Sequence, residues 1–433
     1  MLEPTNWASL LRFLYPGLHI KRWLGLVMFG LVLTSLGIAY LFVQIYRVQP
    51  FPEFVGTLTL QFIDRPVRGA LLILAGLAGI GLGLFKLNQV LARAFVRRGR
   101  GNLMDELYTH QTRERGPKIV VIGGGTGLSV ALRGLKEHTN NLTAIVTVAD
   151  DGGSSGRLRR ALGVLPPGDF RNCLVAMADV EPLMETLFQY RFNNESSELD
   201  GHSFGNLFIV AMSEVTGNFD RALREASRVL AVRGQVVPST LENVTLCAEV
   251  SDEVVEGESS ISQSTQPIQR VFLQPSNPAA YPEAVKAIHE ADLVVVGPGS
   301  LFTSVLPNLL VGGVVDALMS TDAVKVYVCN VATQPGETDG YGISEHLDAL
   351  LRHLPNGENP FDYIVVNERL GLPMPASGKV LPVAPLVSNG LAGSLVVADV
   401  VDESNAVRHD SVKLAQVLVR LAVKPAAVVA GWG

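Results

Sequence analysis

The residues best suited to chemistry fall in a few short loops. Asp150-Asp151-Gly152-Gly153-Ser154-Ser155-Gly156-Arg157-Leu158-Arg159 sets two carboxylates, a flexible hydroxyl-bearing loop and two arginines close together. Carboxylates hold Mg²⁺, glycine and serine amides cradle phosphate, and arginine grips it with a planar fork. A rigid turn at Pro166-Pro167-Gly168 then carries Asp169, Arg171 and Asn172, and Gly201-His202-Ser203-Phe204-Gly205-Asn206 brings His202 and Asn206 to the start of an apolar helix. Two glycine turns complete the set. One is Gly123-Gly124-Gly125-Thr126-Gly127; the other is Gly297-Pro298-Gly299-Ser300, followed by Thr303, Ser304 and Asn308. Glycine lets backbone N–H groups approach a phosphate, and a helix N-terminus favours the anion. There is no G-x-S-x-G nucleophile elbow and no closely paired Cys and His, and the lone His202 and His409 serve equally well as loop hydrogen-bonders. The pattern favours phosphate binding over nucleophilic catalysis.

Such loops need a rigid frame. Lys118 to Ile122 is an apolar β-branched run that enters the first glycine turn, and the residues after it are apolar at helical spacing. A second strand, Leu142 to Ala149, ends at Asp150-Asp151, about where a Rossmann unit keeps an acid for a ribose hydroxyl. Further buried strands are expected at Leu293–Val296, Lys325–Val331 and Phe361–Asn367. Strands alternating with helices predict a Rossmann-like α/β fold: a mostly parallel sheet with helices on both faces. The polar alternation of Ala248 to Leu273 predicts a small antiparallel insertion, whose Glu249 and Glu258 read as solvated loop. Leu128 stands where G-x-G-x-x-G would place its last glycine, which argues against an NAD-dependent oxidoreductase.

The 433 residues carry 35 Lys and Arg against 41 Asp and Glu, and the resulting charge of −6 speaks against a nucleic-acid binder. Cys173, Cys247 and Cys329 lie far apart, which excludes a disulfide framework and a zinc ribbon. The hydrophobic excess is concentrated near the N-terminus. Trp23 to Tyr46 contains no charge, and Gly69 to Asn88 contains only Lys86, so both are expected to be transmembrane helices. Arg12, Lys21 and Arg22 before the first, and Arg93, Arg97, Arg98 and Arg100 after the second, place both termini in the cytoplasm. The expected organisation is a membrane hairpin with linker over 1–105 and a cytoplasmic nucleotide-binding domain over 106–433, in the cell (inner) membrane.

GGGTGLSVALRGLK, IVTVADDGGSSGRLR, PPGDFRNCLVA, GHSFGNL, VRGQVVPST, GPGSLFTSVLPNLLV, CNVATQPGETDGY and VRHD occur in one order between about Lys118 and Leu421. In these motifs the sequence resembles the YvcK-type gluconeogenesis factors, within the superfamily of the CofD-like 2-phospho-L-lactate transferases. The resemblance implies a UDP-sugar-binding regulator, of the UDP-N-acetylglucosamine type, that supports cell shape and envelope precursor supply on gluconeogenic carbon. Binding of that kind requires no cofactor. The CofD branch implies instead an enzyme that moves a phospholactyl group from a nucleotide-activated donor with Mg²⁺, held here by Asp150 and Asp151. The two glycine turns would frame the nucleotide, Asp150, Asp151, Asp169 and Asn206 would line its phosphates or metal, and Arg408 matches an element associated with the UDP-sugar. Partners expected on this reading are the nucleotide-sugar, the membrane and cell-wall synthesis proteins; a homo-oligomer is compatible with it, and nucleic acid is not expected.

Overall fold

The computed structural model describes residues 20–48, parts of 64–80, and 113–423 except 180–181, 194–196, 252, 265, 376–379 and 386–394. The chain divides into two units, Met1–Gln111 and Thr112–Gly433. In the first, Ile20–Val48 is one helix, whose Phe29, Leu33, Leu36 and Leu41 side chains are exposed. Among the described residues no single helix is long and apolar enough to cross a membrane; the apolar stretches there are Phe29–Leu41 and Gly69–Ile80. The expected hairpin therefore lacks structural support, and the end of its second span lies outside the described residues.

In the second unit, β1 (Ile119–Gly123), β2 (Leu142–Val146) and β3 (Gln235–Pro238) are followed by the insertion strands β4 (Thr245–Val250), β5 (Glu253–Glu256) and β6 (Ile268–Gln274). Then come β7 (Leu293–Val296), β8 (Val324–Val328), β9 (Tyr363–Asn367) and β10 (Leu395–Ala398), and a short hairpin of β11 (Val401–Asp402) and β12 (Asn405–His409). Seven of these form one sheet in the order β10-β9-β8-β7-β1-β2-β3, with every pair parallel. A parallel sheet is covered on both faces, so its strands carry unbroken apolar runs rather than alternation. Ile119, Val121, Ile122, Leu293, Val294, Val295 and Val296 are fully buried accordingly.

The order reverses at β1. From β1 the chain moves outward through β2 to β3, and from β7 it moves the other way through β8 and β9 to β10. Right-handed crossovers then put the helix Gly125–Leu135 and the helix Gly312–Ser320 on opposite faces. The turns after β1 and β7 part from each other at this point, and the gap at the strands' carboxyl ends is where such sheets bind ligands. The insertion is a three-stranded antiparallel sheet, β5-β4-β6, with one helical turn at Glu258–Ile261; Leu246, Ala248, Ile261 and Val271 join it to the main core.

Helix Gly125–Leu135 is held from behind by the C-terminal helix Ser411–Val423, and the fit is closest at Gly134. A Cβ there would lie 1.9 Å from the Ser411 carbonyl oxygen and 2.8 Å from Ala415 Cβ. Backbone cannot yield as a side-chain tip does, so overpacking at this position costs about 2 kcal/mol. Gly134→Ala is expected to lower Tm by about 4 °C or more, read by thermal denaturation of the full chain; an unchanged Tm would contradict this packing.

Candidate functional site

The gap at the sheet's reversal point opens on a cavity of about 510 Å³, walled by Gly124–Gly127, Pro298–Ser300 and Ser304, by the loop Asn330–Pro335 after β8, and by Arg408 and His409 from β12. The two glycine turns touch backbone to backbone. A Cβ on Gly127 would sit 2.5 Å from the Pro298 carbonyl oxygen and 2.9 Å from Gly299 Cα. Gly125 has φ +60, and its amide donates to Asp169 Oδ2 at 2.7 Å, so this N–H is engaged by the protein.

Amide side chains hold the turns in register. Asn308 is fully buried and donates to the Gly123 and Ser304 carbonyls at 3.0 and 2.8 Å. Asn330 receives the Gly299 amide at 3.3 Å and returns a bond to the Gly299 carbonyl at 2.8 Å, while Gln334 donates to Ser300 Oγ at 2.7 Å. Thr303 donates to Glu337 at 2.9 Å, and burial raises the carboxyl of Glu337 above the ordinary range. Burial also pushes His409 down to about 4, so it stands in the cavity wall as a neutral ring, 3.2 Å from the Cys329 carbonyl.

Beside the first glycine turn lies a group of acids. Burial first, and the charge of Asp150 second, push Asp169 up to about 6. Burial likewise raises Asp150. Glu258, on the helical turn of the insertion, is pushed up to about 8 by burial and then by Asp150, Asp151, Asp169 and Glu337. Asp151 anchors that turn by accepting from the Ser259 amide at 2.8 Å and its hydroxyl at 2.7 Å, and Asp150 accepts from the Gly152 amide at 2.9 Å. Asp150 and Asp151 each commit Oδ1 to protein donors. Among the described residues no three or more His, Cys, Asp and Glu side chains are grouped to hold an ion.

A third group is polar and cationic. Ser154 Oγ lies 3.0 Å from His202 Nδ1 and accepts from Asn206 at 3.0 Å, and Ser155 accepts from the Gly168 amide at 3.0 Å. Arg171 reaches Ser203 at 2.5 Å and Asn172 at 2.9 Å, and Arg157 reaches the Asp200 carbonyl at 2.6 Å.

The family model for 2-phospho-L-lactate transferase CofD matches residues 119–377, which takes in both glycine turns and the acidic and cationic groups but not Arg408 and His409. The chain belongs to the YvcK/CofD-like family. The gluconeogenesis factor of Bacillus subtilis (strain 168) is 48% identical over 316 residues, covering 70% of this chain and 98% of that protein. A relative from Nostoc sp. is 45% identical over 427 residues, 94% of this chain and 92% of its own, so its match extends into the first unit. A crystal structure of a UPF0052-family protein from Bacillus halodurans is 46% identical, covers 70% of this chain and 99% of that chain, and superposes with a TM-score of 0.65.

Within this YvcK/CofD-like unit the expected residues fall into two places rather than one. Gly124, Gly125, Thr126, Gly127, Pro298, Gly299, Ser300, Ser304 and Arg408 line the cavity. Asp150, Asp151, Gly152, Gly153, Ser154, Ser155, Arg157, Arg171, Asn172, His202 and Asn206 do not; they form the acidic and cationic groups. Asp169 links the two through Gly125. Asn308 and Gly123 are scaffold, and Thr303 is spent on Glu337. Sequence reasoning missed Asn330, Gln334 and Glu337, although they sit in a loop after an expected strand, where α/β folds gather ligand groups. It read Glu258 as solvated, and this is corrected: only the packing of the insertion onto Asp151 brings that carboxyl among other acids.

Glu258 makes stability depend on pH. Its folded-state value lies above the ordinary 4.5, so protonation favours the folded state. That contribution is complete at low pH and is lost as pH rises through about 8. Glu258→Gln is expected to raise Tm at pH 9 by about 2 °C or more and to change it little at pH 4; an equal effect at both would mean the carboxyl is not held among the acids.

Proposed function

We propose that this protein is a nucleotide-sugar-binding regulator of the UDP-N-acetylglucosamine type, tethered to the cell membrane by its first unit and serving envelope precursor supply. The observation that carries the reading is the paired glycine turns at the sheet's reversal point, opening on a cavity within the size range of small-molecule sites. Backbone amides suit a diphosphate, and Arg408 at the cavity wall offers a charged fork to the same ligand. The name of the Bacillus subtilis relative agrees with a role in growth on gluconeogenic carbon. The tether rests on the uncharged apolar run Trp23–Tyr46 of the sequence.

A transferase of the CofD kind is the second reading, favoured by the acids beside the first glycine turn. Calorimetric titration of the full chain with UDP-N-acetylglucosamine, UDP, GDP and NAD, with and without Mg²⁺, separates the two. UDP-selective binding without release of nucleotide is expected. Continuing heat with nucleotide release, or preference for GDP, would replace the regulator by the transferase. Gly125→Val is expected to abolish binding, since valine is strained at φ +60, and Arg408→Ala to weaken it about tenfold. Full affinity in both variants would put the ligand elsewhere. On cell fractionation the full chain is expected in the membrane pellet after a carbonate wash; recovery in the supernatant would remove the tether.

A further inference from the structure

Where the antiparallel insertion meets the rest of the unit, one backbone amide is bonded by a side chain that can take up a proton. The sheet order β5-β4-β6 leaves β6 on the outside. Its Val271, opposite Ala248 of β4, donates its amide to His353 Nε2 at 3.0 Å. His353 follows helix Ile343–Leu351, and its Nδ1 faces the Ala349 carbonyl at 2.7 Å. A carbonyl only accepts, so Nδ1 carries the ring proton and Nε2 keeps the lone pair that Val271 requires. The ring is neutral in this arrangement.

A second proton takes that lone pair away and sets two N–H groups against each other. The charges that bear on the ring are Arg352 beside it in the chain and Arg270 of β6; burial first, and these cations with it, hold the ring below its ordinary 6.5. His353 also meets the uncharged Phe302 ring at 6.2 Å, whereas His346 of the same helix turns to Gly342 and Tyr341. A histidine held down while bonded takes its proton more readily once free. The bond to Val271 is therefore firm above about 6.5 and weakens as pH falls below it. The other titratable groups where the insertion docks are acids, Glu258 against Asp150, Asp151, Asp169 and Glu337. Protonation relieves their repulsion, so their effect has the opposite sense.

This seam borders the cavity. Phe302 lies in the turn Leu301–Val305 after β7, and its amide donates to Glu337 at 3.3 Å. Glu337 is bonded as well by Ser262 of the insertion, and both residues line the cavity. At Gly336 an added Cβ would lie 3.0 and 2.8 Å from the Ser262 and Ser264 carbonyl oxygens, so the insertion closes directly on the loop after β8. We propose that His353 is an acid-sensitive latch: when Nε2 gains a proton from solvent, Val271 is released and the insertion, with Ser262, lifts from the cavity wall. The latch is built from the chain's own packing and does not depend on what the cavity binds.

Hydrogen–deuterium exchange of the full chain at about pH 7.5 and about pH 5.5, on either side of the ordinary histidine value and corrected for the intrinsic effect of pH on exchange, tests this. Protection over β6 is expected to fall about tenfold at the lower pH, while β1 and β7 keep theirs. His353→Gln offers Val271 an acceptor that does not titrate, and β6 is expected to stay protected at both values. His353→Ala removes the acceptor, and β6 is expected to be poorly protected at both. Neither variant titrates at the seam, so a loss in acid that persists in either one overturns the proposal. Unchanged protection of β6 in the parent, an equal loss over β1 and β7, or full protection in the alanine variant overturns it too.

Discussion

The contact on which the site depends is backbone against backbone. Gly127 faces the Pro298 carbonyl and Gly299 Cα at distances no Cβ could share, and Gly124 faces Thr147 and Asp169 just as closely. β1 and β7 are neighbours in the sheet, but the chain leaves them toward opposite faces. The turns that follow would therefore part widely if either carried side chains. Glycine lets them close until they bound a cavity rather than an open furrow. Asn308 and Asn330 then take up carbonyls and an amide that the close approach would otherwise strand, which matters because an unpaired buried backbone group costs as much as a lost hydrogen bond.

Around this contact the molecule gathers buried charge of both signs. The insertion reaches back over the sheet, is fastened by Asp151 to Ser259, and delivers Glu258 to a place already occupied by Asp150 and Asp169. Burial raises these carboxyls instead of lowering them, so the fold bears the cost of partly neutral acids near the first glycine turn. On the other side, Arg171 is buried among hydroxyls and amides.

The parallel sheet was legible because buried parallel strands have a plain signature: short β-branched runs such as Ile119–Ile122 and Leu293–Val296, each ending in glycine. The antiparallel insertion was legible from its alternation, and the cavity's two glycine turns from their position after strands. Strand ends were not. Leu142 to Ala149 and Lys325 to Val331 read as longer strands than the β2 and β8 that form, because an apolar loop packed into the core looks like a strand in one dimension. Val148, Ala149 and Val331 are such buried loop residues.

What the sequence determined alone was local: which segments extend, which turn, and where glycine admits a close backbone approach, since these follow from side-chain shape and φ within a few residues. The tertiary structure decided which of those turns share a cavity. It set Arg408 beside Gly124–Gly127 and moved Arg157 and Arg171 away from them. It turned Thr303 toward Glu337 and brought Glu258 in from an insertion that reads as solvent-facing. Such pairings join residues far apart in the chain, and they depend on the order of strands across the sheet, which no short-range pattern encodes.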